Sequence, residues 1–389
     1  MTAEEARGLS RDVLGLSRDG RRRRPAPLLL ACVAAAVLVG CQASPGPAPG
    51  PGASGNADPA AGTAASVNAE GKPGHVFVIN LENKSYANAW GADSPAPYLS
   101  QTLRSQGVLL KNYYGIGHKS LPNYIAQLSG QGPNPVTSED CHTYEAFTAT
   151  GTVALGQVQG SGCVYPGTVP TLAGQLSAAG KSWKGYMEDM GTPCRHPEVG
   201  AVDTNQNASS KSQYATRHNP FVYFSAITSS PECADNVVDF SNLTGDLESL
   251  DTTPNLSYIT PNLCNDGHDD PCVDRSKGGL LRADEWLKQH VPAILESAAF
   301  RKDGILVITF DEAEHKEVSS VSLPGGAGGG RVGALVLSPQ VKGGATSKRS
   351  YNHYSLLASI EDMFGLPYLG YAADPDLNRF GDDVYNNRS

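Results

Sequence analysis

HVFVINLENKSY, residues 75–86, opens as a strand-like run and then breaks into Glu82, Asn83, Lys84 and Ser85. GILVITF (304–310) repeats the pattern and stops at Asp311-Glu312. NLSYIT (255–260) runs into PNLCNDGHDD (261–270), and GALVLS (333–338) supplies a fourth apolar run. Near-continuous β-branched runs of this length mark strands covered on both faces. Helical patterns lie between them: SLPNYIAQLSG (120–130), TLAGQLSAAG (171–180), LLRADEWLKQHVPAILES (280–297) and YSLLASIEDMFG (354–365). Gly130, Gly180 and Gly365 stand where helices stop. Strands alternating with helices predict an α/β three-layer sandwich around a mostly parallel central sheet.

In such a sheet, sites form beyond the carboxyl ends of the strands. Three of the ends here carry carboxylates, amides or a His. Carboxylate and amide oxygens are hard ligands suited to Mg, Ca or Mn, although a His nearby would also admit Zn or Fe. Parallel strands would bring Glu82 and Asn83 beside Asp311 and Glu312 as ligands of a divalent metal ion whose identity stays open.

The formal charge of −9 is unevenly spread. Residues 1–40 hold seven Arg and four acids, which leaves the remainder near −12. A chain that acidic has no general electrostatic term for nucleic acid. RRRR (21–24) ahead of PAPLLLACVAAAVLVGC (25–41) has the form of an export signal. The apolar run is short for a transmembrane helix. Its end, Leu38-Val39-Gly40-Cys41, resembles the lipobox of bacterial lipoproteins, which implies a lipidated Cys41 holding an exported protein to the membrane. Residues 41–73 read as a flexible Ala/Gly/Pro/Ser tether, and a globular domain is expected over 74–389. Beyond Cys32 and Cys41, six Cys remain, an even set that suits disulfides in an exported chain. Sequential pairing is the simplest arrangement, with Cys264–Cys272 its firmest member. Pro/Gly/Cys-rich stretches at 131–170 and 189–220 read as long loops held by such bridges.

ENKSY (82–86), GHKSLPNYIAQLSG (117–130), TLAGQLSAAGKSWKGY (171–186), RHNPFVYF (217–224), PNLCNDGHD (261–269), ITFDE (308–312) and NHYSLLASIEDMFGL (352–366) together resemble the phosphoesterase family. That family holds acid phosphatases and phosphatidylcholine-type phospholipases C within the alkaline phosphatase superfamily. HNPF and the short length are more similar to its secreted bacterial acid phosphatases. The resemblance implies an alkaline phosphatase-like fold and hydrolysis of phosphate monoesters, phosphoinositides among them. The alternative is a phospholipase C-type phosphodiesterase acting on phospholipid head groups. Position by position, it implies Glu82, Asn83, Asp311 and Glu312 as metal ligands and Thr171 as the nucleophile. It implies His118 near the leaving group, and His268 and Asp269 against phosphate or metal. His353 falls where the family often has Asp-His, but here Asn352 precedes it. His315 is a weaker match of the same kind.

Such residues suit phosphoryl transfer, which needs charge neutralisation, an in-line nucleophile and help for the leaving oxygen. The expected course passes through a phosphothreonine intermediate. Each assignment also has a plainer reading. Without the resemblance, Thr171 is the N-cap of its helix, Asn83 a turn residue and Asp311-Glu312 a helix cap. His75, His142, His196, His218 and His290 read as packing or solvated residues.

Overall fold

A computed structural model describes residues 72–314, 317, 319 and 321–386. The export signal, Cys41, nearly all of the tether and His315 lie outside these residues. The strands are β1 (His75–Leu81), β2 (Val108–Tyr114), β3 (Thr148–Thr152), β4 (Val158–Ser161), β5 (Trp183–Met187), β6 (Val237–Asp239), β7 (Leu256–Thr260), β8 (Gly304–Phe310), β9 (Ala334–Leu337) and β10 (Ala345–Asn352). Eight of them form one sheet in the order β10-β2-β9-β8-β1-β7-β5-β6, while β3 and β4 pair apart from it. Only β9 runs antiparallel to its neighbours in the large sheet. The mostly parallel α/β sheet expected from the alternation of elements is therefore present.

The sheet centre is where the sequence is most apolar. Every residue of β1 and β8 is buried. Such strands need cover on both faces, and two groups of helices supply it. Helices Ser120–Ser129, Leu172–Ala178 and His353–Phe364 pack on one another, while Gly279–Glu296 packs with Tyr98–Leu103 and Ala298–Asp303. The first of these is buried along its whole length. It ends at Gly130, and His353–Phe364 ends at Gly365, both in the left-handed region that a Cβ disfavours.

The register places the site. Leu81 pairs with Phe310, so the next residues on each strand, Glu82 and Asp311, leave the sheet side by side. The Asp311 N–H donates to Leu81 O at 2.9 Å, and the Glu82 N–H donates to Asp266 O at 2.8 Å. The β7 loop is thereby tied to the same point. Disulfides join Cys141–Cys163, Cys194–Cys233 and Cys264–Cys272, in sequential order. They brace the long loops that rise from this edge.

Candidate active site

Glu82 follows β1 and is fully buried. Its Oε1 accepts from the Tyr124 O–H at 2.7 Å. Its Oε2 accepts from the Ser120 O–H at 3.0 Å and from Asn83 Nδ2–H at 3.0 Å. Asn83 takes a φ of 55°, a left-handed conformation that Asn tolerates better than most side chains. There its backbone N–H donates to Asp311 Oδ1 at 3.0 Å. The other oxygen of Asp311, Oδ2, is buried with no hydrogen-bond partner.

Ser120 reaches this cluster because the loop before it is pinned. Asn123, one turn into the helix, accepts from the N–H groups of Ile116 and Gly117 at 2.7 and 3.3 Å. It donates to the carbonyls of Gly117 and Lys119 at 2.9 and 2.6 Å. One buried amide thus fixes the whole turn from β2 into the helix. Asp140 accepts from the Leu121 N–H at 3.0 Å and satisfies a free donor of the helix start.

Glu82, Asp266, Asp311 and Glu312 are all buried. Burial raises each carboxyl above its ordinary range, and for Glu82 the charges of Asp311 and Asp266 add to the effect. A buried imidazole, His218, and a buried guanidinium, Arg217, face them. His218 has one ring nitrogen 3.3 Å from Glu82 Oε1 and the other 3.3 Å from Asp266 Oδ2, although neither pair has hydrogen-bond geometry. Its ring lies parallel to Tyr124 with centroids 5.3 Å apart. Burial and the neighbouring Arg217 hold the imidazole well below its usual range. Arg217 donates to Gln206 O and has its second terminal nitrogen 3.4 Å from His268 Nε2. His268 Nδ1 pairs with Asp269 Oδ1 at 2.7 Å.

A cavity of about 330 Å³ opens over this cluster. Ser120, Lys119, Arg217 and His268 line it together with Asp140 and Glu312. The remaining lining side chains are Asn83, His142, Gln206 and Asn207. A larger cavity of about 520 Å³, lined by Phe240, Trp286, Glu188 and Asn265 among others, includes none of Ser120, Glu82, Asp266, Asp311 and Glu312.

A sequence model of the phosphoesterase family matches residues 93–367. The chain belongs to the phosphoesterase family. Relatives include a probable acid phosphatase of Kluyveromyces lactis, 28% identical over 304 residues, 77% of this chain and 59% of that protein. A phosphate-repressible acid phosphatase of Penicillium chrysogenum is 28% identical over 268 residues, 69% of this chain and 54% of that protein. A phosphatidylinositol-3-phosphatase of Mycobacterium tuberculosis is 26% identical over 303 residues, 77% of this chain and 81% of that one. The chain thus spans little more than half the length of the fungal relatives. Among solved structures, a protein in the alkaline phosphatase superfamily from Vibrio parahaemolyticus has a TM-score of 0.49 at 12% identity, covering 81% of this chain and 72% of that one.

In this member of the family, Glu82, Asn83, Asp311 and Glu312 lie together at the ends of β1 and β8, the juxtaposition expected from parallel strands. Among the described residues, no three His, Cys, Asp or Glu side chains form a ready-made metal cage. The donor chemistry nonetheless fits a hard cation. Glu82, Asp266, Asp311 and Glu312 are buried carboxylates beyond the ends of neighbouring strands, and Asp311 Oδ2 has no hydrogen-bond donor among the described residues. A divalent ion would answer both.

His268 lines the cavity, whereas Asp269 does not line it and instead pairs with His268 Nδ1. Three other residues take different places. Thr171 does not line the cavity; it caps the helix Leu172–Ala178, its Oγ1 accepting from the Gly174 N–H at 3.1 Å. His118 is tied through Nδ1 to Glu312 Oε2 at 2.8 Å and through Nε2 to Glu317 O at 2.9 Å. His353 is fully buried, with Nε2–H donating to Asp311 O at 2.6 Å and Nδ1 near the Tyr113 hydroxyl and Gln127 amide, both at 3.1 Å. It holds the strand end from behind and lines no part of the cavity.

Four residues of the cluster escaped the sequence reading: Ser120, His218, Asp266 and Arg217. Ser120 carried a usable signal, since it opens a predicted helix just as Thr171 does.

Proposed function

We propose that the chain hydrolyses phosphate monoesters, with Ser120 as the nucleophile. The observation that carries this reading is the Ser120 hydroxyl, at the start of a buried helix, 3.0 Å from Glu82 Oε2 and on the wall of the cavity that Arg217 and Lys119 also line. Family membership and the names of the relatives support the reaction class.

Phosphate binds with its non-bridging oxygens toward Arg217, Lys119 and His268, which offset its charge. Ser120 Oγ attacks phosphorus, its proton passing to Glu82, and the bond from phosphorus to the alcohol oxygen breaks. The leaving alcohol oxygen takes its proton from solvent water, and Glu82 returns its proton to Ser120 Oγ in the second step. Water then attacks the phosphoserine, the bond from phosphorus to Ser120 Oγ breaks, and inorganic phosphate is released. A hard divalent cation held by Glu82, Asn83, Asp311 and Glu312 would supply charge neutralisation and favour the ionised serine hydroxyl. Arg217 orients the phosphate, and the Asp269–His268 pair keeps the His268 ring fixed at the cavity mouth. The proposal extends to the N-terminus, where a lipidated Cys41 would hold the enzyme at the outer face of the membrane.

The test uses p-nitrophenyl phosphate and bis-p-nitrophenyl phosphate with the wild type, Ser120→Ala and Thr171→Ala. The monoester should turn over faster than the diester. Ser120→Ala should lose at least about a thousandfold in kcat, and Thr171→Ala less than about tenfold. Faster cleavage of the diester would favour the phospholipase C-type reading.

A further inference from the structure

All ten side chains lining the 330 Å³ cavity are polar or charged. No aliphatic or aromatic wall is offered to a leaving group. The fold does build aromatic cavities, since Phe240 and Trp286 line the larger one. The phosphate-binding side of the small cavity is accounted for by Ser120, Arg217, Lys119 and His268. His142 and Asn207 are not. Both are exposed at the cavity, and neither side chain has a hydrogen-bond partner among the described residues.

The two are held in a braced frame. Cys141, next to His142, is bridged to Cys163. The His142 carbonyl accepts from the Asp203 N–H at 2.9 Å, and Thr143 pairs with Val202. Gln206, next to Asn207, donates through Nε2 to Asp140 O at 3.1 Å. An imidazole and an amide held this way offer donors and acceptors to whatever lies beside the phosphate.

On the phosphomonoesterase reading, we propose that the cavity takes the monophosphate of a hydroxyl-rich alcohol, a sugar or cyclitol, and that His142 and Asn207 bind its hydroxyls. An apolar alcohol would strip water from these groups and return no hydrogen bond. A site built to hydrogen-bond hydroxyls rejects analogues that lack them far more strongly than an apolar pocket rejects an extra methylene. The volume lies in the range of small-molecule sites.

The experiment compares kcat/KM for inositol 1-phosphate and glucose 6-phosphate with that for n-butyl phosphate, in the full chain. The polyol esters should be preferred by at least about tenfold, and the ratio should fall toward one in the His142→Ala/Asn207→Ala double variant. Equal rates for n-butyl phosphate, or an unchanged ratio in the double variant, would overturn the proposal. Calorimetry of the same phosphates with wild type and Ser120→Ala separates specificity from turnover. If no ester is hydrolysed, the phosphomonoesterase reading fails, yet tighter binding of inositol 1-phosphate than of n-butyl phosphate still supports the site and equal binding overturns it. A further arm presents phosphatidylinositol phosphate in phosphatidylcholine vesicles. Faster turnover there than of free inositol 1-phosphate supports the same chemistry on a lipid-borne alcohol, and slower turnover supports a free one.

Discussion

Ser120 Oγ and Glu82 Oε2 stand 3.0 Å apart at the carboxyl edge of the sheet, joined across 38 residues of sequence. This contact depends on two unrelated devices. The parallel register of β1 and β8 sets Glu82 beside Asp311, and the Asn123 amide turns the chain from β2 into its helix.

Asn123→Ala removes that second device. Two backbone N–H groups and two carbonyls lose their partner. Leaving such groups unpaired should cost about 2–4 kcal/mol of stability. Misplacing Ser120 should lower kcat by about a hundredfold. Urea unfolding and steady-state kinetics check both effects, and a variant of wild-type activity would detach Ser120 from the reaction.

Asp311 carries the expectation of a metal. Exhaustive chelation should lower the melting temperature of the wild type, and readdition of Mn or Mg should restore it. A ligand at about a hundred times its Kd adds roughly 2.7 kcal/mol. Asp311→Asn should respond less to both treatments. Identical shifts in the variant would place the ion elsewhere.

Glu361 offers a test by pH that lies apart from this cluster. It is fully buried, accepts one backbone N–H from Leu369 at 3.0 Å, and has its second oxygen unpartnered. Burial raises its carboxyl to about 9. The folded protein therefore holds this proton to high pH, whereas the unfolded chain releases it near the ordinary value of 4.5. The resulting stability is complete below that ordinary value and declines as pH rises toward 9. Glu361→Gln should flatten the fall in melting temperature between pH 5 and pH 9, by about 2 °C for each kcal/mol removed. Parallel curves for the two proteins would contradict the assignment.

Cys41→Ser tests the proposed anchor. Cell fractionation should find the wild type with membranes and the variant in the soluble fraction. A wild type already soluble would remove lipidation from the account.

Much of this arrangement was legible in the sequence. The central strands were plain because burial on both faces demands unbroken apolar runs, as in HVFVINL and GILVITF. Their shared direction then placed Glu82, Asn83, Asp311 and Glu312 together. The sequential disulfides also agree with the simplest reading. The strand Ala345–Asn352 was not legible, because at the sheet edge its sequence, ATSKRSYN, is largely polar. Choosing between Ser120 and Thr171 needed tertiary information. Both open a helix, but only Ser120 lies against the strand-end carboxylates. His218 stands in the HNPF motif, but the motif gave it no role. Its position between Glu82 and Asp266 arises from a loop 130 residues and more from β1, brought in by packing on Tyr124.

The most direct test of the central claim is to map the phosphoenzyme. The wild type is mixed with p-nitrophenyl phosphate, quenched in acid within the first turnovers, digested and examined by mass spectrometry. Phosphate should appear on the peptide containing Ser120 and be absent after Ser120→Ala. Phosphate on Thr171, or turnover with no phosphorylated residue, would contradict the account.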